Sequence, residues 1–224
     1  MNGSDMGIRT YVLRQGRITE AQQRAFEGEG RRFLVGLGND SLNWIDLFGD
    51  DKPVVMEIGF GMGLATWQIA EARPQFNYLG IEVHRPGVGK LLTELAGRGI
   101  TNVRVINHDA VETMEKGIAP ASLAAIHLFY PDPWPKKRHH KRRLVRPGLA
   151  DLMASRLSPG GYLYFVTDIE DYARAALEVL SSTPGLRNNY DGFAERQAWR
   201  PETKFEARAE AEGRGHRELF FTKM

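Results

Sequence analysis

The chain has 224 residues, 42% hydrophobic and 26% charged, which is enough for one sizeable core and a single α/β domain. It contains no cysteine, which excludes disulfides, thiolate catalysis and zinc-thiolate sites, leaves only histidine and carboxylates as metal ligands, and fits a reducing cytosol. The formal net charge is +2, yet seven Lys and Arg fall within residues 136–146 with no acid among them, so the remainder carries 2 minus 7, or −5.

The amino-terminal "MNGSDMGIRTYVLRQGR" lacks the apolar core of a signal peptide, and no stretch approaches the roughly 18 apolar residues of a membrane span; a cytoplasmic protein is expected. Residues 1–50 read as an extension packed on the core, with a helix around "SLNWIDLFG" (41–49), and residues 51–224 as the main domain. "KPVVMEIG" (52–59) opens a series of short apolar runs bounded by Gly, Pro, Asn or Asp, each with the composition of a strand. A helical pattern follows through Leu64, Ile69 and Ala70 before Pro74, then a second strand, "FNYLGIEV" (76–83). Val88, Leu91, Leu92 and Leu95 mark the next helix, closed by Gly97 and Gly99, and "NVRVINHD" (102–109) and "LAAIHLFY" (123–130) are the third and fourth strands. Leu149, Leu152, Met153 and Leu157 predict a helix, "GGYLYFVTD" (160–168) a fifth strand, and Tyr172, Ala176, Val179 and Leu180 another helix. The segment "STPGLRNNYDGF" fits neither pattern, and "RELFFTKM" (217–224) supplies a last strand. Strands alternating with helices build parallel βαβ units, so the expected fold is a doubly wound, mostly parallel α/β sheet with an antiparallel edge strand near the C-terminus.

In such a sheet ligands sit beyond the carboxyl ends of the strands. The first strand runs into "EIGFGMG", with Glu57, Gly59, Gly61 and Gly63; glycines there let backbone approach a ligand that a Cβ would block, and the next helix presents free amides. The G-x-G-x-G spacing departs from the G-x-G-x-x-G of dinucleotide binders, and an acid precedes it. That pattern favours S-adenosylmethionine, with cationic sulfonium and amino groups, over a pyrophosphate. Glu82 in "GIEVH" lies 25 residues after Glu57 (82 minus 57), near the roughly 20-residue spacing of an acid that accepts from both ribose hydroxyls. Asp109 in "INHDA" stands at the third strand end, in reach of an adenine edge. Each acid alone could be a helix N-cap; three at consecutive strand ends point to an adenosyl ligand.

The fourth strand ends in "LFYPDPWPKKRHHKRRLVRP" (128–147). Pro131, Pro133 and Pro135 fix φ and stiffen the turn, so Asp132 and Trp134 have little freedom. A solvated charge run and a capped proline turn are the plain readings. The functional one has the carboxylate and an aromatic surface meeting a planar base while Lys136, Lys137, Arg138, Lys141, Arg142, Arg143 and Arg146 hold phosphates. His139 and His140 read as phosphate contacts or solvated side chains, since no third metal ligand accompanies them, and Trp44, Trp67 and Trp199 as packing residues.

Together, "EIGFGMG", "GIEVH", "FYPDPWPKKRHHKRR", "TD" (167–168), "RPETKFEARAEAEGRGHRELFF" and the amino-terminal "YVLRQGRITEAQQRAF" resemble the bacterial tRNA (guanine-N7)-methyltransferases over nearly the whole chain. The resemblance implies a Rossmann-like methyltransferase domain at 51–224 and methyl transfer from S-adenosylmethionine to N7 of a guanine in the tRNA variable loop. It also implies that Glu57, Glu82, Asp109 and Asp132 bind the donor, with Gly59, Gly61 and Gly63 beside them, and that Asp132 is catalytic. Lys136, Asp168 and the "TKFE" stretch, Thr203, Lys204, Phe205 and Glu206, match the tRNA positions. No metal is expected.

Guanine N7 bears no proton, so no general base is needed. Orientation of the nucleophile and electrostatic support for charge moving into the purine carry the rate. A carboxylate can accept from guanine N1–H and the 2-amino group together, which adenine does not offer, and Asp132, Asp168 and Glu206 all qualify. Other readings are an amino-group methyltransferase of nucleic acid and a non-catalytic RNA-binding domain, which would leave the three strand-end acids idle. A nicotinamide dehydrogenase would share the fold but has no use for the basic run.

Overall fold

The computed structural model describes residues 8–12, 16–38, 40–203, 206–207, 211–213 and 215–224. These fall into two compact units, one from the span 13–119 with 197–201 and the other from 120–196 and 202–224 with the amino-terminal residues up to Val12.

In the first unit α1 (Glu20–Glu27) starts at a capping box, in which Thr19 and Gln22 satisfy each other's backbone amides. α1 lies on α4 (Arg85–Arg98): Gln22 Nε2 donates to Pro86 O (2.9 Å). A 3-10 turn (Glu29–Phe33) buries Phe33, and α2 (Trp44–Phe48), the helix expected at 41–49, is capped by Asn43 and stopped by left-handed Gly49. β1 (Val54–Ile58), α3 (Leu64–Ala72), β2 (Asn77–Ile81), α4, β3 (Val103–Ile106) and α5 (Ala110–Gly117) then alternate. β1 pairs in parallel with β2, and β2 with β3, and every residue of β1 and β2 is buried, as strands covered on both faces require. The register aligns Ile58, Ile81 and Ile106, so the three strands end level with one another.

The second unit holds β4 (Leu123–Phe129), a 3-10 turn (Lys137–Arg142), α6 (Pro147–Arg156), β5 (Leu157–Thr167), α7 (Glu170–Ser182), β6 (Leu186–Asn188) and β7 (Arg217–Lys223). β4 and β5 are parallel, and β7 runs antiparallel to both β5 and β6. The fold is the mostly parallel α/β sheet with an antiparallel end that the alternation predicts, and β7 is the expected C-terminal strand. It is not the outermost: β6, from the segment that fits no pattern, lies outside it. No helix among the described residues is long and apolar enough to cross a membrane.

Candidate active site

In the first unit Gly59, Gly61 and Gly63 follow β1 with φ of 75°, 59° and 74°. A Cβ on Gly59 or Gly61 would meet nothing within 4 Å, whereas one on Gly63 would stand 2.7 Å from Leu91 Cβ. The turn is open over its first two glycines and pressed onto α4 at the third. α4 comes this close because its own Gly87 has no side chain; a Cβ there would lie 2.0 Å from Gly61 O.

Glu82, just beyond β2, is buried and ties the turn to its own strand end: Oε2 accepts from Gly61 N, and Oε1 from Val83 N and His84 N, all at 2.8 Å. Oε2 keeps an acceptor position for a ligand hydroxyl. Asp109, after β3, is the N-cap of α5, its Oδ1 accepting from Glu112 N (2.8 Å), and among the described residues its Oδ2 has no partner. Asn107, which the sequence pattern does not single out, donates to Glu82 O (2.7 Å) and joins the loops after β2 and β3.

Glu57, two residues before the turn, is fully buried beside the Thr66 hydroxyl and the Glu82 carboxylate rather than, among the described residues, beside a cation. Burial pushes its carboxyl up to about 7; the nearby Thr66 hydroxyl pulls against that and the Glu82 charge adds to it. A buried acid with no counter-ion among the described residues, next to an open glycine turn, suits a cationic ligand such as the amino group of S-adenosylmethionine. The folded value lies above the unfolded 4.5, so the stabilisation is present below about 4.5 and is lost as pH rises through about 7, on the order of 3 kcal/mol in all. Without ligand, the protein should melt at a lower temperature at pH 8 than at pH 6, and Glu57→Gln should shrink that difference. Identical pH dependence of parent and variant in thermal melts would show the carboxyl ionised throughout.

In the second unit β4 and β5 pair up to Phe129 and Val166, and Tyr130 N donates to Val166 O (2.8 Å), so the loops carrying Asp132 and Asp168 leave neighbouring strand ends. Asp132 is exposed. Tyr130 (φ 50°) and Trp134 (φ 47°), on either side of the Pro-Asp-Pro, occupy the left-handed region. For non-glycine residues such a conformation costs roughly 1–3 kcal/mol each and persists only where the surroundings dictate it.

Those surroundings correct two expectations. Trp134 is no open stacking surface: it is buried, its Nε1 donates to Thr10 O (3.1 Å), the Arg142 guanidinium covers a face at 3.8 Å and His139 packs edge-on. The basic run also splits. Arg142 spends its fork on Arg9 O (2.9 Å) and Tyr11 O (2.8 Å). Buried Arg143 donates to Pro133 O (2.9 Å), pairs with Asp171 and lies over Tyr172, and Arg146 is buried as well. The Arg143 hydrogen bond holds the Asp171 carboxyl below its usual range. Lys136, Lys137, Arg138 and Lys141 are the exposed cations of the segment. Alternation cannot reveal this division, because it depends on tertiary partners, residues 9–11 for Arg142 and Pro133, Asp171 and Tyr172 for Arg143.

Asp168 is half-buried after β5. Thr203 and Glu206 cap one another, Glu206 N donating to Thr203 Oγ1 (3.2 Å) and Thr203 N to Glu206 Oε2 (3.4 Å). Lys204 and Phe205 lie outside the described residues. Glu206 is buried, with Arg196 Nε at 3.2 Å and His216 Nε2 at 3.5 Å from its Oε1. His216 also faces Glu218 (3.6 Å), which accepts from the Tyr164 hydroxyl. This network ties Thr203 and Glu206 to Arg196, His216 and the β7 residue Glu218, and neither His216 nor Arg196 carries a signal in the sequence. Among the described residues no three His, Cys, Asp or Glu side chains gather as a metal site.

Residues 51–219 match a family model described as "Putative methyltransferase". Over 216 residues the chain is 49% identical to the tRNA (guanine-N(7)-)-methyltransferase of Paraburkholderia xenovorans, covering 96% of this chain and 83% of that relative. The protein of the same name from Bordetella pertussis is 50% identical over 216 residues, covering 96% and 85%. Among solved structures, the 16S rRNA methyltransferase KamB superposes with a TM-score of 0.60 at 14% identity, over 80% of this chain and 91% of that one. An rRNA methylase from Streptococcus thermophilus gives 0.54 at 17% identity, over 78% and 89%. At these identities the structural likeness is one of fold.

Proposed function

The chain belongs to the tRNA (guanine-N7)-methyltransferase family, and on that footing we propose that it is a cytoplasmic enzyme that methylates N7 of a guanine in the variable loop of tRNA, using S-adenosyl-L-methionine. The observation that carries the reading is identity near one half sustained over 96% of the chain. Residues 51–224 form the methyltransferase domain and residues 1–50 its extension.

S-adenosylmethionine supplies an electrophilic methyl on a sulfonium. The glycine turn admits the donor's backbone-hugging portion, Glu57 faces its cationic amino group, Glu82 Oε2 accepts from a ribose hydroxyl, and Asp109 Oδ2 addresses the adenine edge. Asp132 serves donor and substrate sides: it accepts from guanine N1–H and the 2-amino group and stabilises the positive charge that enters the purine as N7 is alkylated. Engagement of the Glu206 carboxylate by Arg196, His216 and Thr203 favours Asp132 over Glu206 for the guanine edge. Lys136 takes a phosphate, while Asp168, Thr203, Lys204, Phe205 and Glu206 serve the substrate side. Guanine N7 has a lone pair and no proton, so the chain supplies no base. Holding N7 in line is worth ~7–11 kcal/mol in favourable cases.

The direct test is incubation with unmodified tRNA and S-adenosylmethionine, nuclease digestion and mass mapping; N7-methylguanosine in the variable loop is expected, and a methyl elsewhere, or none, refutes the assignment. Glu82→Ala should weaken donor binding by roughly 10- to 150-fold, the loss of about 1.5–3 kcal/mol from charge-assisted hydrogen bonds, and spare tRNA binding. Calorimetry showing unchanged donor affinity would take Glu82 out of the site.

A further inference from the structure

Three successive carbonyls of the amino-terminal segment are read by the segment that follows Asp132. Arg9 O and Tyr11 O accept from the two ends of the Arg142 fork, and Thr10 O between them accepts from Trp134 Nε1. Arg142 in turn lies on the Trp134 ring, and the Thr10 side chain is buried. Trp134 is one of the two left-handed residues flanking Pro-Asp-Pro. A side chain fixed at its tip, on a face and on an edge cannot swing, so its backbone cannot relax to a negative φ without giving up all of these interactions. Arg143 adds a bond to Pro133 O from the same run.

We propose that residues 9–11 are a positioning strap: through Trp134 and Arg142 they hold the strained backbone that aims the Asp132 carboxylate. Arg142 and Trp134 are positioning residues, acting through Asp132 rather than on the substrate, and this inference rests on the role given to Asp132 above. Arg142→Lys cannot substitute, because one ammonium on a flexible stem does not span two carbonyls as the guanidinium fork does.

The test is single-turnover methylation of unmodified tRNA at saturating donor. Thr10→Arg, whose side chain does not fit the buried place, unseats the strap from a position remote in sequence; Trp134→Phe keeps most of the ring and removes the N–H. Both should slow transfer by about 10-fold or more, as small misplacements of a catalytic group do, while thermal melts report a folded protein and donor affinity by calorimetry falls less than the rate. In an Asp132→Asn background, Thr10→Arg should slow transfer further by less than about 2-fold, because the strap then has nothing left to aim. Parental rates in the folded variants, or a full additional loss in the Asp132→Asn background, overturn the strap and leave Asp132 in place. A parental rate for Asp132→Asn itself overturns the role of Asp132, and the strap with it.

Discussion

Asp132→Asn is expected to slow methyl transfer to tRNA by ~100-fold or more, the scale on which one preorganised electrostatic group matters. The substitution keeps size and one acceptor but removes the charge and turns a donor toward guanine's own N–H groups. Asp132 is exposed on a loop whose fold depends on its neighbours' contacts, so the variant should fold as the parent does. Donor affinity should fall less than the rate, since Glu57, Glu82, Asp109 and the glycine turn are untouched. The readout is N7-methylguanosine formed in a single turnover at saturating donor. A parental rate would leave positioning alone as the source of catalysis and deprive the carboxylate of its role.

Replacing Lys136, Lys137, Arg138 and Lys141 together by Gln is the second large effect. Each phosphate left without its cation should lower the slope of log affinity against log salt by roughly 0.7–0.9, so removing all four cations flattens it by about 3 and weakens tRNA binding by two or more orders of magnitude at moderate salt. These four are the exposed cations of the run, and removing them should leave the melting temperature within a few degrees of the parent's. Arg143→Gln is the contrast: it strands Pro133 O and Asp171, so it should cost stability first. Filter binding across a salt series decides the matter, and a quadruple variant with the parental slope would make the run a solvated face.

Strand ends and the glycine turn are legible in the sequence because they depend on short-range rules: β-branched runs, an acid at each strand end, glycines where backbone must come close. α5 escapes that reading because Asp109 looks like the end of a strand, although it caps a helix whose apolar Val111 and Met114 are three residues apart. The tryptophan and arginines after Asp132 mislead for a different reason. Charge and aromaticity in a row look alike whether they face solvent or a neighbour 130 residues away, and the hydrogen bonds from Trp134 and Arg142 to residues 9–11 are of that long-range kind. Gly87 shows the same limit: within a helical pattern it reads as a weak helix former, and only the approach of Gly61 O explains it. Glu57, Glu82 and Asp109 stand where the pattern puts them, at the ends of β1 and β2 and just beyond β3, while their partnership with a donor is still a proposal.

The three-residue β6 has a consequence for how copies of this chain behave in a crowded solution. β7 is a seven-residue strand with Leu219, Phe220 and Phe221 at its centre, the sort of strand whose open side recruits other strands. Its outward side is occupied instead: β6 pairs with Phe221, Thr222 and Lys223, Asn189 N donates to Phe220 O (3.0 Å) and Ala194 N to Glu218 O (2.7 Å). The segment from 186 to 194, which carries neither strand nor helix periodicity, therefore works as a stopper against intermolecular sheet growth. It keeps the sheet finite by presenting Gly and Asn turns, with Tyr190 and Asp191, to the outside where a regular strand would invite aggregation.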